Sequence, residues 1–134
     1  MHANLAFSTL PLYLGALLCD AAYARTAEVQ WSNFASWLIA WGLVFNGLAL
    51  IWALVAWLLS RRERWRHRTS YLLMLAGSVV LAVVNALVHA RDAWATMPAA
   101  PVVSALVFLL AAAAAGVGLA APRPLGRTPA GAAP

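Results

Sequence analysis

The sequence predicts an all-α protein, a polytopic membrane protein built as an up-down bundle of four transmembrane helices. Three observations carry that expectation. Charged residues make up only 10% of the 134 residues and hydrophobic ones 64%, against roughly 25% charged in a soluble domain. Mean hydropathy is +0.80, so there is too little charge to cover a water-facing surface. Third, the run Arg61-Arg62-Glu63-Arg64-Trp65-Arg66-His67-Arg68 divides two nearly uncharged halves. Each half holds apolar stretches near the roughly 20 helical residues that a bilayer core requires.

The elements follow in order. A first span is expected over residues 5–24, with Pro11 near its start, where a kink or a first helical turn tolerates it. A cleaved signal ending at Ala22-Tyr23-Ala24 is the alternative. Only His2 precedes the apolar run, without a basic leader, which favours a retained first helix. The second span covers 34–59 and is long enough to tilt. The third covers 70–90, and the fourth covers 101–121, with Pro101 suited to a first turn. Residues 1–121 thus form one domain, and the Pro-, Gly- and Ala-rich stretch 122–134 reads as a disordered tail. Short connections at 25–33 and 91–100 make sequential spans antiparallel neighbours.

Charge gives the expected direction. Arginine excess marks the cytoplasmic side, and the 61–68 loop and the tail (Arg123, Arg127) carry it. The other connections are neutral, Arg25 against Glu28 and Arg91 against Asp92. The expected location is therefore the bacterial inner membrane, with both termini and the 61–68 loop cytoplasmic. Trp31, Trp37, Trp94 and Tyr23 would form the outer aromatic belt, and Trp57, Trp65 and Tyr71 the inner one. Small residues at four-residue spacing, Ser78-Ala82-Ala86-Ala90 and Ala112-Gly116-Ala120, are candidate contact stripes. The net charge of +5 comes mostly from one loop and shows no aromatic-interleaved basic groove, so no nucleic-acid partner is expected.

A few polar residues break the apolar rule. Asp20 lies about one turn inside the outer end of span one, and Asn85 and His89 share a face of span three. Spans one and three run in the same direction, which brings these three to similar depth, with Ser36 and Ser104 near that level and Asn46 deeper. An aspartate in hydrocarbon costs up to about 2.5–3.5 kcal/mol and needs a partner. Arg25, Arg91 and His89 are within reach. The candidate site is the outer polar cluster of Asp20, Arg25, Glu28, Asn85, His89, Arg91 and Asp92. It is either an outward-facing pocket for a ligand, proton or partner, or a hydrogen-bond cluster that sets helix register. No catalytic set is visible: there is no phosphate loop, no paired carboxylates and no Ser–His–Asp pattern. A lone cysteine, Cys19, excludes an internal disulfide, and the spans supply too few ligands at one level for zinc. A bis-histidine haem needs two facing histidines. His2 and His67 belong to the inner side and His89 to the outer.

The segments Leu14–Asp20, Arg25–Leu38 and Val84–Trp94, the last containing Asn-Ala-Leu-Val-His-Ala-Arg-Asp, resemble the domain of unknown function 2231 family of small four-helix bacterial inner-membrane proteins. The similarity runs to about Leu119. The resemblance implies the same fold and no defined activity. Fusion of some relatives to cytochrome c-like domains implies membrane redox chemistry. Many relatives carry His-Phe-Pro in the first helix, where this chain has Phe7-Ser8-Thr9-Leu10-Pro11, so a second haem ligand is missing. The expected function is a non-enzymatic accessory or anchor subunit without a cofactor. Its expected partners are the lipid bilayer, a periplasmic or membrane redox protein, and a second copy of itself. The alternative is a b-haem electron-transfer protein in which His89 binds haem across a homodimer.

Overall fold

The computed structural model describes residues 2–59, 65–91 and 96–120. These form helices α1 (His2–Ser8), α2 (Leu10–Thr26), α3 (Val29–Leu58), α4 (Trp65–His89) and α5 (Ala99–Ala120), and no strand occurs among them. Four spans are long and apolar enough to cross a membrane: Asn4–Thr26, Val29–Leu58, Thr69–His89 and Ala99–Ala120. The first span comprises α1 and α2. Its break at Thr9 has a local cause, because Pro11 lacks an amide N–H and its ring displaces the carbonyl four residues back. Hydroxyls serve nearby carbonyls at this break: Ser8 Oγ donates to the Leu5 carbonyl at 2.8 Å and Thr9 Oγ1 to that of Ala6 at 2.7 Å. In hydrocarbon no water can do this, so polar side chains at the break take its place.

The helices extend beyond the expected spans. The second begins at Val29 instead of residue 34, and the third at Trp65, inside the basic run. Hydropathy marks where lipid ends, and a backbone helix continues past that point at no extra cost in backbone hydrogen bonds. At 30 residues, α3 is about 45 Å long, well over the roughly 30 Å hydrocarbon core. Only Ala27 and Glu28 separate α2 from α3. The turn places Ala27 in the left-handed region, φ 54°, where its N–H donates to the Tyr23 carbonyl at 2.9 Å. A Cβ is disfavoured there. Ala27→Gly is therefore expected to stabilise the protein by about 0.5–1 kcal/mol. A thermal unfolding midpoint no higher than the parent's would contradict that reading of the turn. The disordered tail expected at 122–134, and residues 60–64 of the basic loop, lie outside the described residues.

Around the bundle α2 packs on α3, α3 on α4, α4 on α5 and α5 on α2, with α1 against α3 and α5. Each span buries one stripe with alternating three- and four-residue steps. Ala6, Thr9, Tyr13, Ala16, Asp20 and Tyr23 form it in the first span, and Ser32, Ala35, Ile39, Gly42, Asn46, Ala49 and Ala53 in α3. In α4 it is Tyr71, Leu75, Ser78, Ala82, Asn85 and His89, and in α5 Ala100, Ser104, Val107, Ala111 and Ala114. The mean step of 3.5 is the repeat that keeps one seam on its neighbours in left-handed bundles. Apart from Ile39, Leu75, Val107 and three tyrosines, the stripes are small or polar, while many Leu and Val and Trp31, Trp37, Trp41 and Trp52 are exposed, Trp37 at 67% and Trp52 at 52%. Lipid is as apolar as leucine, so close backbone approach and hydrogen bonding decide which face turns inward.

The 3.5 repeat corrects two expectations. The strict four-residue stripes drift off the seam: Ser78 and Ala82 are buried, but Ala90, Gly116 and Ala120 are exposed. Tyr23 and Tyr71, expected in the aromatic belts, are 4% and 5% exposed and face the interior. Trp57, near the C-terminus of α3, donates its indole N–H to Thr69 Oγ1 at 3.3 Å.

A polar layer sits near the middle of the spans. Asn46 Nδ2 donates to Ser78 Oγ at 2.9 Å and to the Tyr13 hydroxyl at 3.3 Å, and Ser78 Oγ donates to the Leu75 carbonyl at 2.8 Å. The Tyr13 ring reaches Asn46 by lying across Gly42, one turn earlier on α3. A Cβ at Gly42 would stand 2.6 Å from Tyr13 Cε1.

Candidate functional site

Two turns along the same seams, toward the α2 C-terminus, a second polar layer forms. Asp20 follows Tyr13 by seven residues on α2, and Asn85 follows Ser78 by seven on α4, a rise of about 10.5 Å. The seam repeats every seven residues, so the two layers share one register. Asp20, Asn85 and Ser104 are each 1% exposed and His89 is 8% exposed. Ala82, Val107 and Ala111 pack with Tyr13 beside these layers.

The Asp20 carboxylate is the hub. His89 Nε2 lies 2.8 Å from Oδ1, joining α4 to α2 across the bundle. Ser104 Oγ, on α5, donates to Oδ2 at 2.5 Å. Asn85 Nδ2 in turn donates to Ser104 Oγ at 3.0 Å. His89 Nδ1 lies 2.9 Å from the Asn85 backbone carbonyl, one turn back on its own helix. A carbonyl only accepts, so Nδ1 carries a hydrogen. One further proton then lies between Nε2 and Oδ1, and the pair is an imidazolium facing a carboxylate or its neutral tautomer. Removing that proton would set a nitrogen lone pair against a carboxylate oxygen. The Asn85 side-chain oxygen, buried, has no hydrogen-bond partner.

The seven candidate residues divide. The structure brings Asp20, Asn85 and His89 together and adds Ser104. Arg25, Glu28 and Arg91 are exposed at the same end, and the partner that Asp20 meets is His89. Asp92 lies outside the described residues. Ser36 stays apart, donating to the Ser32 carbonyl at 2.9 Å. Sequence reasoning placed Ser104 at the correct depth but could not supply its bond. The Tyr13–Asn46–Ser78 layer was signalled only by the depth of Asn46 and the small size of Ser78.

Ser104, His89 and Asp20 are the residue types of a nucleophilic triad, in the wrong order for one. Activation of a serine requires the imidazole between hydroxyl and carboxylate, whereas here the carboxylate stands between the other two. Both imidazole nitrogens are engaged inside the bundle, so haem ligation by His89 would first require breaking its contact with Asp20. The donor set does not fit a haem. No group of three or more His, Cys, Asp or Glu suited to a metal ion occurs among the described residues.

Four apolar spans around a hydrogen-bonded polar interior define a multi-pass membrane protein of the four-helix class. The family profile described as "Predicted membrane protein (DUF2231)" matches residues 1–127, and the chain belongs to that family. No curated protein and no solved structure matches it.

Proposed function

We propose that the protein is a non-enzymatic accessory or anchor subunit of the bacterial inner membrane. It holds no cofactor and lies with both termini and the 61–68 loop in the cytoplasm. The observation that supports this reading is the division of the polar cluster. Asp20, Asn85, His89 and Ser104 are buried and hydrogen-bond one another, whereas Arg25, Glu28 and Arg91 stand exposed at the same end of the bundle. Buried groups cannot read a docking protein, while exposed charges on short connections can. The partner is an exported or membrane-bound protein with complementary charges, and the cytochrome c-like fusions in the family suggest a redox protein. The arginine excess at 61–68 supports the orientation.

The test is partner recovery from membranes by in-cell photo-crosslinking at the exposed positions 29 and 90. With Arg25→Glu and Glu28→Arg combined, recovery of the crosslinked partner is expected to fall at least several-fold, because exposed charges steer association. Unfolding of the bundle is expected to stay unchanged, because exposed ion pairs contribute at most about 1 kcal/mol. Undiminished recovery would refute docking through this surface.

A further inference from the structure

We propose that the Tyr13–Asn46–Ser78 layer is a binding site for one internal water molecule, held between the Tyr13 hydroxyl and the Asn46 side-chain oxygen. Hydrogens and lone pairs in the layer do not balance without it. Asn46 Nδ2 has two hydrogens, and both are used, one on Ser78 Oγ at 2.9 Å and one on the Tyr13 hydroxyl at 3.3 Å. Ser78 Oγ accepts from Nδ2 and donates to the Leu75 carbonyl, so it is used in both directions. Two groups are left over. Asn46 Oδ1 is buried and accepts from nothing. The Tyr13 hydroxyl accepts from Nδ2, and no described residue takes its own hydrogen. Asn46 is 0% exposed and Tyr13 1%. A buried polar group that has lost its hydration without gaining a partner is destabilising, and here a donor and an acceptor stand in that condition side by side.

The two leftovers fit one occupant. Nδ2 and Oδ1 belong to the same amide, so the Tyr13 oxygen, in contact with the first, is within one water's span of the second. Water accepts from the hydroxyl and donates to Oδ1 in a single bridge, which gives it the two polar partners that a buried water needs. Turning the amide over moves the imbalance without removing it. Oδ1 would then accept from Tyr13, and both Nδ2 hydrogens would point where Oδ1 stands now. An occupant would have to accept there and donate here, and water does both. The buried side chains packed on Tyr13 are Ala82, Val107 and Ala111. All are apolar and cannot take the hydroxyl hydrogen, and two are alanines, the smallest side chains with a Cβ.

The other layer lacks the matching half. Asn85 Oδ1 is unpartnered as well, but the Ser104 hydroxyl hydrogen goes to Asp20 and both His89 nitrogens are engaged. No spare O–H or ring N–H stands beside Asn85. The middle layer alone presents both ends of a water bridge. It lies inside the bundle, away from the exposed charges of the docking surface, and does not rest on that reading.

The test is water-edited solid-state NMR of the full chain in lipid bilayers, with the protein perdeuterated and its exchangeable sites returned to protons. Magnetisation starts on water and is read on side-chain carbons. At short transfer times Asn46 Cγ is expected to build up several-fold faster than the side chains of Leu75 and Val107, which are equally buried. Tyr13→Phe removes one anchor and leaves the amide in place, and it should at least halve the build-up at Asn46 Cγ. Asn46→Leu removes the other anchor and should do the same at Tyr13 Cζ. Should one variant fail to fold, the other decides. Two results would overturn the proposal. Build-up at Asn46 no faster than at Leu75 would mean a dry layer. Build-up unchanged by the substitutions would mean that water protons arrive by exchange of the amide or hydroxyl alone. Partner recovery does not enter these readouts, so the water site and the docking surface fail independently.

Discussion

Replacing His89 by leucine is expected to destabilise the bundle by about 2–3 kcal/mol, and replacing Asp20 and His89 together by leucine to cost under about 1 kcal/mol. The ordering matters more than the magnitudes. A neutral interhelical hydrogen bond in a membrane protein contributes only about 0.6 kcal/mol on average, so losing the contact alone would barely register. His89→Leu does more, because it leaves a buried carboxylate with Ser104 as its one remaining donor. The double replacement removes the charge along with its partner and fills the gap with apolar side chains, which buried ion pairs commonly tolerate. Equilibrium unfolding in mixed micelles measures both variants and Asp20→Leu alone. Costs that simply add would show that the two side chains are not coupled and that the diagonal bond between α2 and α4 carries no structural weight.

Gly42→Ala is the second large effect. The new methyl carbon would lie 2.6 Å from Tyr13 Cε1, 3.0 Å from Cζ and 3.1 Å from Cδ1. Tyr13 is 1% exposed, and its hydroxyl is tied to Asn46. The ring has no room to retreat, so α2 and α3 must separate, at an expected cost of about 1–3 kcal/mol. Gly47→Ala is the matched control on the same helix, because its Cβ would meet nothing within 4 Å. It should be neutral or slightly stabilising, given alanine's better helix propensity. Tyr13→Leu in the Gly42→Ala background should restore part of the loss by removing the rigid ring. Equal stabilities for Gly42→Ala and Gly47→Ala would mean that the close approach of ring and backbone is absent.

These two sites show where sequence reasoning reached and where it stopped. The depth of Asp20, Asn85 and His89 was legible because helix rise is fixed and the spans alternate in direction. The choice among Arg25, Arg91 and His89 as the partner of Asp20 was not, since all three lie within a side chain's reach. The structure selects His89 because its seam position turns it inward, and the two arginines face outward. The Tyr13–Asn46–Ser78 layer was harder still. Tyr13 is an aromatic residue in an apolar run, and only the close approach over Gly42 brings its hydroxyl to Asn46. Ser78 and Ala82 looked like members of a four-residue stripe, but the bundle reads the 3.5-residue seam through Ser78, Ala82, Asn85 and His89.

From the residues alone came the solvent, the number of spans and the depth of each intramembrane polar group. Those depend on transfer into hydrocarbon and on the 1.5 Å rise of a helix, both of which are local. Tertiary structure decided which stripe of each helix faces its neighbours, and therefore which polar atoms meet. Against lipid an apolar face and a small-residue face differ little in solvation, so helix rotation is set by packing and hydrogen bonds between spans distant in sequence. Asp20 and His89 are 69 residues apart along the chain and 2.8 Å apart in space. Only the closed bundle of four helices makes that so.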